Sequence, residues 1–157
     1  MADFEVKLQG VDPILGKMRT LKREIRLKPA RSALGQAAKV IRQQAQQNAL
    51  QVNDPETGRT IADNIVQRFR SKYHRRTGDL MVSVGVATER GRIPKGNPDT
   101  GPKGNTPHWH LLELGTEKMA AQPFLQPAAH QQAEAAMGKF TTSLDKGIDR
   151  ILKKAGK

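Results

Sequence analysis

The chain has 157 residues, 36% of them hydrophobic and only 4% aromatic, and its 27 Lys and Arg outnumber 15 Asp and Glu to leave a formal net charge of +12. A chain of this length forms one domain, residues 1–157, and buries roughly 70% of its unfolded surface, which suffices for one compact core and excludes a second catalytic domain. The lack of cysteine removes disulfides, thiol catalysis and thiolate zinc sites together, and no apolar run approaches the roughly 18 residues of a membrane span.

Met1 to Glu5 carries acids and no apolar stretch of the signal-peptide kind, so a soluble protein made in the cytoplasm is expected. Phe4, Val6 and Leu8 alternate with Glu5, Lys7 and Gln9, the pattern of a half-buried edge strand closed by Gly10. Asp12-Pro13 then reads as a helix start, Asp12 capping and Pro13 first in the helix, with Ile14, Leu15, Met18, Leu21 and Ile25 at helical spacing behind it. Pro29 is expected to break or restart this helix. Beyond it the stripe resumes as Ala33, Leu34, Ala37, Ala38, Ile41, Ala45 and Ala49, a long helix whose small residues allow another helix to approach closely.

Turn formers gather from Asn53 to Gly58, after which Ile61, Ile65 and Phe69 mark one helical face. A second turn, Thr77-Gly78-Asp79, leads into Leu80, Val82, Val84 and Val86 alternating with Met81, Ser83, Gly85 and Ala87, a strand. Gly91 to Pro107 is so rich in Gly and Pro that helix and strand are both excluded, which gives a long exposed loop. His108 to Leu114 is a short apolar segment ended by Gly115, and Pro123 to Pro127 is a Pro-bounded stop. From Pro127 a closing amphipathic helix carries Ala133, Ala136, Met137, Phe140, Leu144, Ile148, Ile151 and Leu152 on one stripe.

Little in the chain points to chemistry. Gly96 to Lys103 spaces two glycines like a phosphate-binding loop, yet Pro102 stands where Lys belongs, and Pro98 and Pro102 remove N–H donors that such a loop needs. His108, His110 and Glu113 are the best metal-ligand constellation, and the one on which a metal-dependent hydrolase would rest, because alternate residues of a strand share a face. Only His74 and His130 remain to complete a site, so the plainer reading is two polar residues flanking a buried Trp109. With no nucleophile elbow and no paired carboxylates, no enzyme, catalytic residue, metal or cofactor is expected.

The basic excess is uneven. From Lys17 to Arg42 stand Lys17, Arg19, Lys22, Arg23, Arg26, Lys28, Arg31, Lys39 and Arg42 against the single acid Glu24, and a second cluster, Arg68, Arg70, Lys72, Arg75 and Arg76, surrounds Tyr73 and His74. Such density attracts phosphate backbones without reading sequence. The plainer alternative is a solvated helix face, and no helix-turn-helix, zinc finger or RNA-binding aromatic motif accompanies it.

Trp109 to Ala128 runs aromatic, apolar pair, Glu, apolar, Gly-Thr, a spacer, then Pro-Phe-Leu-x-Pro-Ala opening a C-terminal helix. That order resembles the signature of small tailed-bacteriophage (siphophage) proteins of the head–tail junction, variously neck, tail-completion or minor tail-component proteins. Trp109, Glu113, Gly115, Thr116, Pro123, Phe124, Leu125 and Pro127 carry it as a structural motif. Glu113 is expected to accept hydrogen bonds from the turn at Gly115-Thr116, Gly115 to take a positive φ, and the prolines to steer Phe124 and Leu125 into the core.

The expected fold is α+β, a small, mostly antiparallel sheet packed against the long N-terminal helix and the C-terminal helix. The resemblance implies a virion structural protein that joins DNA-filled heads to tails as a homo-oligomeric, six-fold ring, with other neck, connector and tail proteins as partners and no membrane. A core thin in aromatics suits a subunit completed by its neighbours. A closed ring needs heterologous contacts, expected from the 91–107 loop as an arm through Gly96, Asn97, Asp99 and Lys103. Lys17, Arg19, Lys22, Arg23, Arg26, Lys28, Arg31, Arg68, Arg70, Lys72, Arg75 and Arg76 are the set expected to face the DNA channel. The alternative is a non-specific nucleic-acid-binding protein with no part in a particle.

Overall fold

The computed structural model describes residues 10–52, 60–87 and 106–156, the side chain of Glu24 excepted. The expected edge strand at residues 4–8, the turn formers of residues 53–58 and residues 91–105 of the long loop lie outside the described residues. In chain order the elements are α1 (Asp12–Arg19), α2 (Arg23–Ala49) running into a 3-10 turn (Leu50–Val52), α3 (Ile61–Asn64), β1 (Ile65–Phe69), α4 (Ser71–Thr77), β2 (Val82–Val86), α5 (Trp109–Leu114), α6 (Leu125–Gln131) and α7 (Ala133–Ala155).

The two strands pair with each other. Ala87 donates its N–H to the Asn64 carbonyl at 2.7 Å and Arg70 donates to the Met81 carbonyl at 2.9 Å, so partners advance on one strand as they retreat on the other, an antiparallel register. The class is α+β, mostly helical, with the expected small antiparallel sheet, long helix and C-terminal helix.

The chain forms two compact units, one made of Met1–Val40, Phe69–Val82 and Ala133–Lys157, the other of Ile41–Arg68 and Ser83–Gln132. In the first, Ile14 of α1, Ala33 of α2 and Leu144 and Ile148 of α7 form the core, with Met18, Leu21, Ala30 and Phe140 packed around it. Here the sequence pattern needs three corrections. The cap of α1 is Val11, so Asp12 and Pro13 are its first two residues and Asp12 does not cap it. The helix break falls at Thr20–Lys22, where the Thr20 hydroxyl donates back to the Lys17 carbonyl at 2.7 Å and offers the backbone an alternative to the next turn. Pro29 lies inside α2 instead of ending it. It is buried and seated against Gly147 of α7, where an added Cβ would stand 2.7 Å from the Pro29 Cβ. Tertiary packing thus outweighs the helix bond that Pro29 cannot donate.

In the second unit Ala45 and Ala49 of α2, Ile61 and Ala62 of α3, Ile65 of β1, and Phe124 and Ala128 form the core, with Val84 and Val86 of β2 and Trp109 of α5 against it. The helix expected across Ile61, Ile65 and Phe69 is one turn of α3 followed by β1. Ile65, Gln67 and Phe69 also satisfy a strand's alternation, and β2 supplies the partner that decides the matter. The closing helix expected from Pro127 is two helices, α6 and α7, separated at Gln132, whose side chain donates to Gln44 of α2 at 2.9 Å.

Candidate functional site

The Trp109–Ala128 segment closes on a single carboxylate. Thr116 and Met119 form an antiparallel bridge, helped by the Thr116 hydroxyl, which accepts from the Met119 N–H at 3.1 Å. Gly115 enters this turn at φ +74, and a Cβ there would stand 2.8 Å from the Ala121 nitrogen, so the position needs glycine on both counts. The turn brings Gln122 back to donate to the Leu112 carbonyl at 2.7 Å, and the residues that follow meet Glu113.

Glu113 accepts from the N–H of Phe124 at 2.7 Å and of Leu125 at 3.0 Å through one oxygen, and of Gln126 at 2.8 Å through the other. These are the opening amides of α6, donors without intrahelical partners, at the end of the helix dipole that favours an anion. The partners are therefore the start of α6, not the Gly115-Thr116 turn that the sequence suggested. Phe124 is 0% exposed and Ala128 is buried with it; Leu125 packs beside them. From the other side, Gln44 donates to Asn48 at 3.0 Å and Asn48 donates to the Phe124 carbonyl at 3.2 Å.

His110 lies within α5 and His108 is its N-cap, so the strand geometry that would have aimed both at one ion is replaced by helix positions that do not face each other. Trp109 is half-buried, its ring edge-on to His110 at 5.9 Å. Among the described residues no group of three or more His, Asp or Glu is placed to hold a metal ion, and both oxygens of Glu113 are taken by backbone. An open groove of about 450 Å3 runs between Gln43, Gln46, Gln47, Leu50, Ala62 and Asp63, three amides and one carboxylate beside two apolar side chains.

The basic clusters, far apart in sequence, belong to one body. All but Arg68 of the expected DNA-facing residues fall in the first unit. By sequence that unit holds 19 Lys and Arg against 8 Asp and Glu, net +11, and the second 8 against 7, net +1. Arg23 of α2 lies over Gly78 at the end of α4, close enough that a Cβ on Gly78 would stand 2.6 Å from its guanidinium. The Arg31 guanidinium sits 4.0 Å above the Phe69 ring, whose centroid is 5.8 Å from that of His74, and Arg76 stands 6.0 Å from the Tyr73 ring. Such cation–π contacts fix a guanidinium's position and leave its charge in place. Arg19, Lys22, Lys28, Lys72 and Arg75 are exposed.

Lys17 differs from the rest. Its ammonium donates to Asp145 at 2.8 Å and Asp149 at 3.0 Å, both on α7, and these bonds, Asp145 first, raise its pKa above the usual lysine value. Asp145 and Asp149 stand one helical turn apart, and nothing local in the sequence names Lys17 as their partner. The arm residues Gly96, Asn97, Asp99 and Lys103 lie outside the described residues.

Residues 12–115 match the HK97-gp10-like family, described as "Bacteriophage HK97-gp10, putative tail-component". The chain belongs to this family. The match takes in both basic clusters, the sheet and Trp109 to Gly115, and stops before Pro123 to Ala128. No curated protein and no solved structure is similar enough to be matched. HK97-gp10-like proteins are a structural family of phage tail components, so the chain has a virion structural role and its partners are other phage structural proteins. No helix among the described residues is long and apolar enough to cross a membrane.

Proposed function

We propose that the whole chain acts as one subunit of a six-fold homo-oligomeric ring at the head–tail junction, a neck or tail-completion ring that joins DNA-filled heads to tails and surrounds the DNA channel. Membership of a tail-component family carries this reading. The partition of charge supports it: a unit of net +11 suits a surface beside a polyanion that passes in any sequence. The near-neutral unit suits contact between subunits. Its α5 exposes Leu111 and Leu114, the latter 78% exposed, and its sequence range includes the arm residues Gly96, Asn97, Asp99 and Lys103. The DNA-facing set is Arg19, Lys22, Arg23, Arg26, Lys28, Arg31, Arg68, Arg70, Lys72, Arg75 and Arg76. Lys17 contributes less, because Asp145 and Asp149 offset its charge.

Native mass measurement or particle imaging of the purified protein gives the stoichiometry directly, and a closed ring is the expected result. Deleting residues 96–104 should leave a folded monomer and abolish the ring; unchanged assembly would remove the arm from the mechanism. A protein that stays monomeric at high concentration yet binds duplex DNA with a steep salt dependence would instead be a non-specific nucleic-acid-binding protein, the reading that the basic unit favours on its own.

A further inference from the structure

Phe69 closes β1, and the next residue, Arg70, donates its N–H to the Met81 carbonyl just before β2 at 2.9 Å. The Phe69 ring is half-buried and has two neighbours from other elements of the first unit. The Arg31 guanidinium of α2 stands 4.0 Å from its centroid. The His74 ring of α4 lies at 5.8 Å, tilted by 56°, and His74 donates from Nδ1 to the Asp79 carbonyl at 3.0 Å. The ring that carries Arg31 is therefore itself held by the strand behind it and the helix beside it.

Arg31 is exposed and, among the described residues, pairs with no carboxylate. That sets it apart from Lys17, whose charge Asp145 and Asp149 offset. It differs as well from Arg76, which stands 6.0 Å from the Tyr73 ring, the outer limit of a cation–π contact. A free arginine loses rotamer freedom when it is pinned against a phosphate, a cost paid on binding. Stacked on Phe69, Arg31 has lost that freedom on folding, and the planar fork that suits two phosphate oxygens keeps its donors. Phe69 carries no charge, so a count of cations gives it no part in binding a polyanion.

We propose that Phe69 is a positioning residue of the basic surface, its ring holding the Arg31 guanidinium in place for a backbone phosphate of duplex DNA. An uncharged side chain thereby sets the strength of a charge-driven contact. The functional step rests on the reading in which the first unit faces DNA.

Binding of a random-sequence DNA duplex to the full chain over a range of salt concentrations tests this. Phe69→Leu should weaken binding about fivefold at fixed salt, the scale of one cation–π contact, and keep the log–log salt slope because every cation remains. Arg31→Ala should lose affinity and flatten the slope by about 0.9. In the Arg31→Ala background Phe69→Leu should cost nothing further, a coupling that a merely structural role would not produce, and Phe69→Tyr, which keeps the ring, should bind like the parent. Independently of DNA, labelling of Arg31 by phenylglyoxal, read by mass spectrometry, should quicken in Phe69→Leu while Arg19 reacts at its parent rate. Unchanged binding by Phe69→Leu, additive losses in the double variant, or unchanged labelling of Arg31 overturns the proposal. Should Phe69→Leu fail to fold, Arg31→Lys, which keeps the charge and gives up the flat face that stacks, should show the same loss at the same slope; parent-like binding by it overturns the proposal equally. Failure of the parent protein to bind the duplex counts against the DNA reading alone, and the labelling still decides whether Phe69 holds Arg31.

Discussion

In the first unit 19 Lys and Arg face 8 Asp and Glu, and its core is drawn from the aliphatic stripes of α1, α2 and α7; in the second the charges nearly cancel, and its core includes a buried Phe. The contrast extends to what polar side chains do. In the second unit Glu113, Asn48 and Gln46 are spent on backbone groups, Gln46 bonding the Ala62 and Ile65 carbonyls at 3.3 Å each. In the first unit most cations remain exposed. Helices that bury one stripe leave the opposite face free for charge, whereas a unit of short helices, turns and a two-stranded sheet has many loose backbone ends to satisfy. A basic surface and an internally bonded body are thus two consequences of different element lengths in one chain.

The sharpest way to break this comparison is to damage each core and read each unit separately, since Trp109 is the sole tryptophan and lies in the second unit while Tyr73 is the sole tyrosine and lies in the first. Phe124→Ala should cost about 3–5 kcal/mol and shift the denaturant transition seen in Trp109 fluorescence. Ile148→Ala, about 2–5 kcal/mol in the other core, should shift the Tyr73 signal first. Equal shifts of both probes by both variants would mean that the units unfold as a single block.

A smaller effect is expected at Glu113. Glu113→Gln replaces a carboxylate held by three amides with a group that turns a donor toward one of them, at about 1.5–3 kcal/mol in urea unfolding. On the basic side, replacing the exposed Lys22, Lys28, Lys72 and Arg75 with Ala should leave stability nearly unchanged. It should flatten the dependence of duplex binding on salt by about 0.9 in the log–log slope for each phosphate that is no longer neutralised. A slope that holds would mean that other cations meet the phosphates.

The least effect belongs to Lys17→Met, a fall in Tm within about 2 °C that shrinks further in high salt. Because its partners raise the folded-state pKa of Lys17, the ion pairs stabilise fully below the unfolded value of 10.5 and fade as pH rises through the raised one. On the alkaline side, the gap between variant and parent should therefore persist to high pH and close only as Lys17 loses its proton.

How much of this was readable depended on whether the deciding neighbour was local. Val82 to Val86 and the α7 stripe each show one unmistakable period, and both elements form there. β1 was not readable because Ile61, Ile65 and Phe69 fit a helix as well as Ile65, Gln67 and Phe69 fit a strand, and the choice is made by β2. Pro29 obeys the rule against helical proline until Gly147 offers it a seat. At the site, the motif announced Glu113 as a structural acceptor but not its donors, which the Thr116–Met119 turn brings back. The pairings of Lys17 with Asp145 and of Asn64 with Thr106 join distant segments and leave no pattern in either.

Glu113 lies within the stretch that matches the family, while Phe124, Leu125 and Gln126, which bond it, lie beyond Gly115, where the match ends. A fragment cut at that limit would keep an orphaned carboxylate and lose Phe124 and Ala128 from its core, and in the remainder the opening amides of α6 would lose their acceptor. The limit of the match marks where sequence likeness fades; it is not a seam along which the protein comes apart.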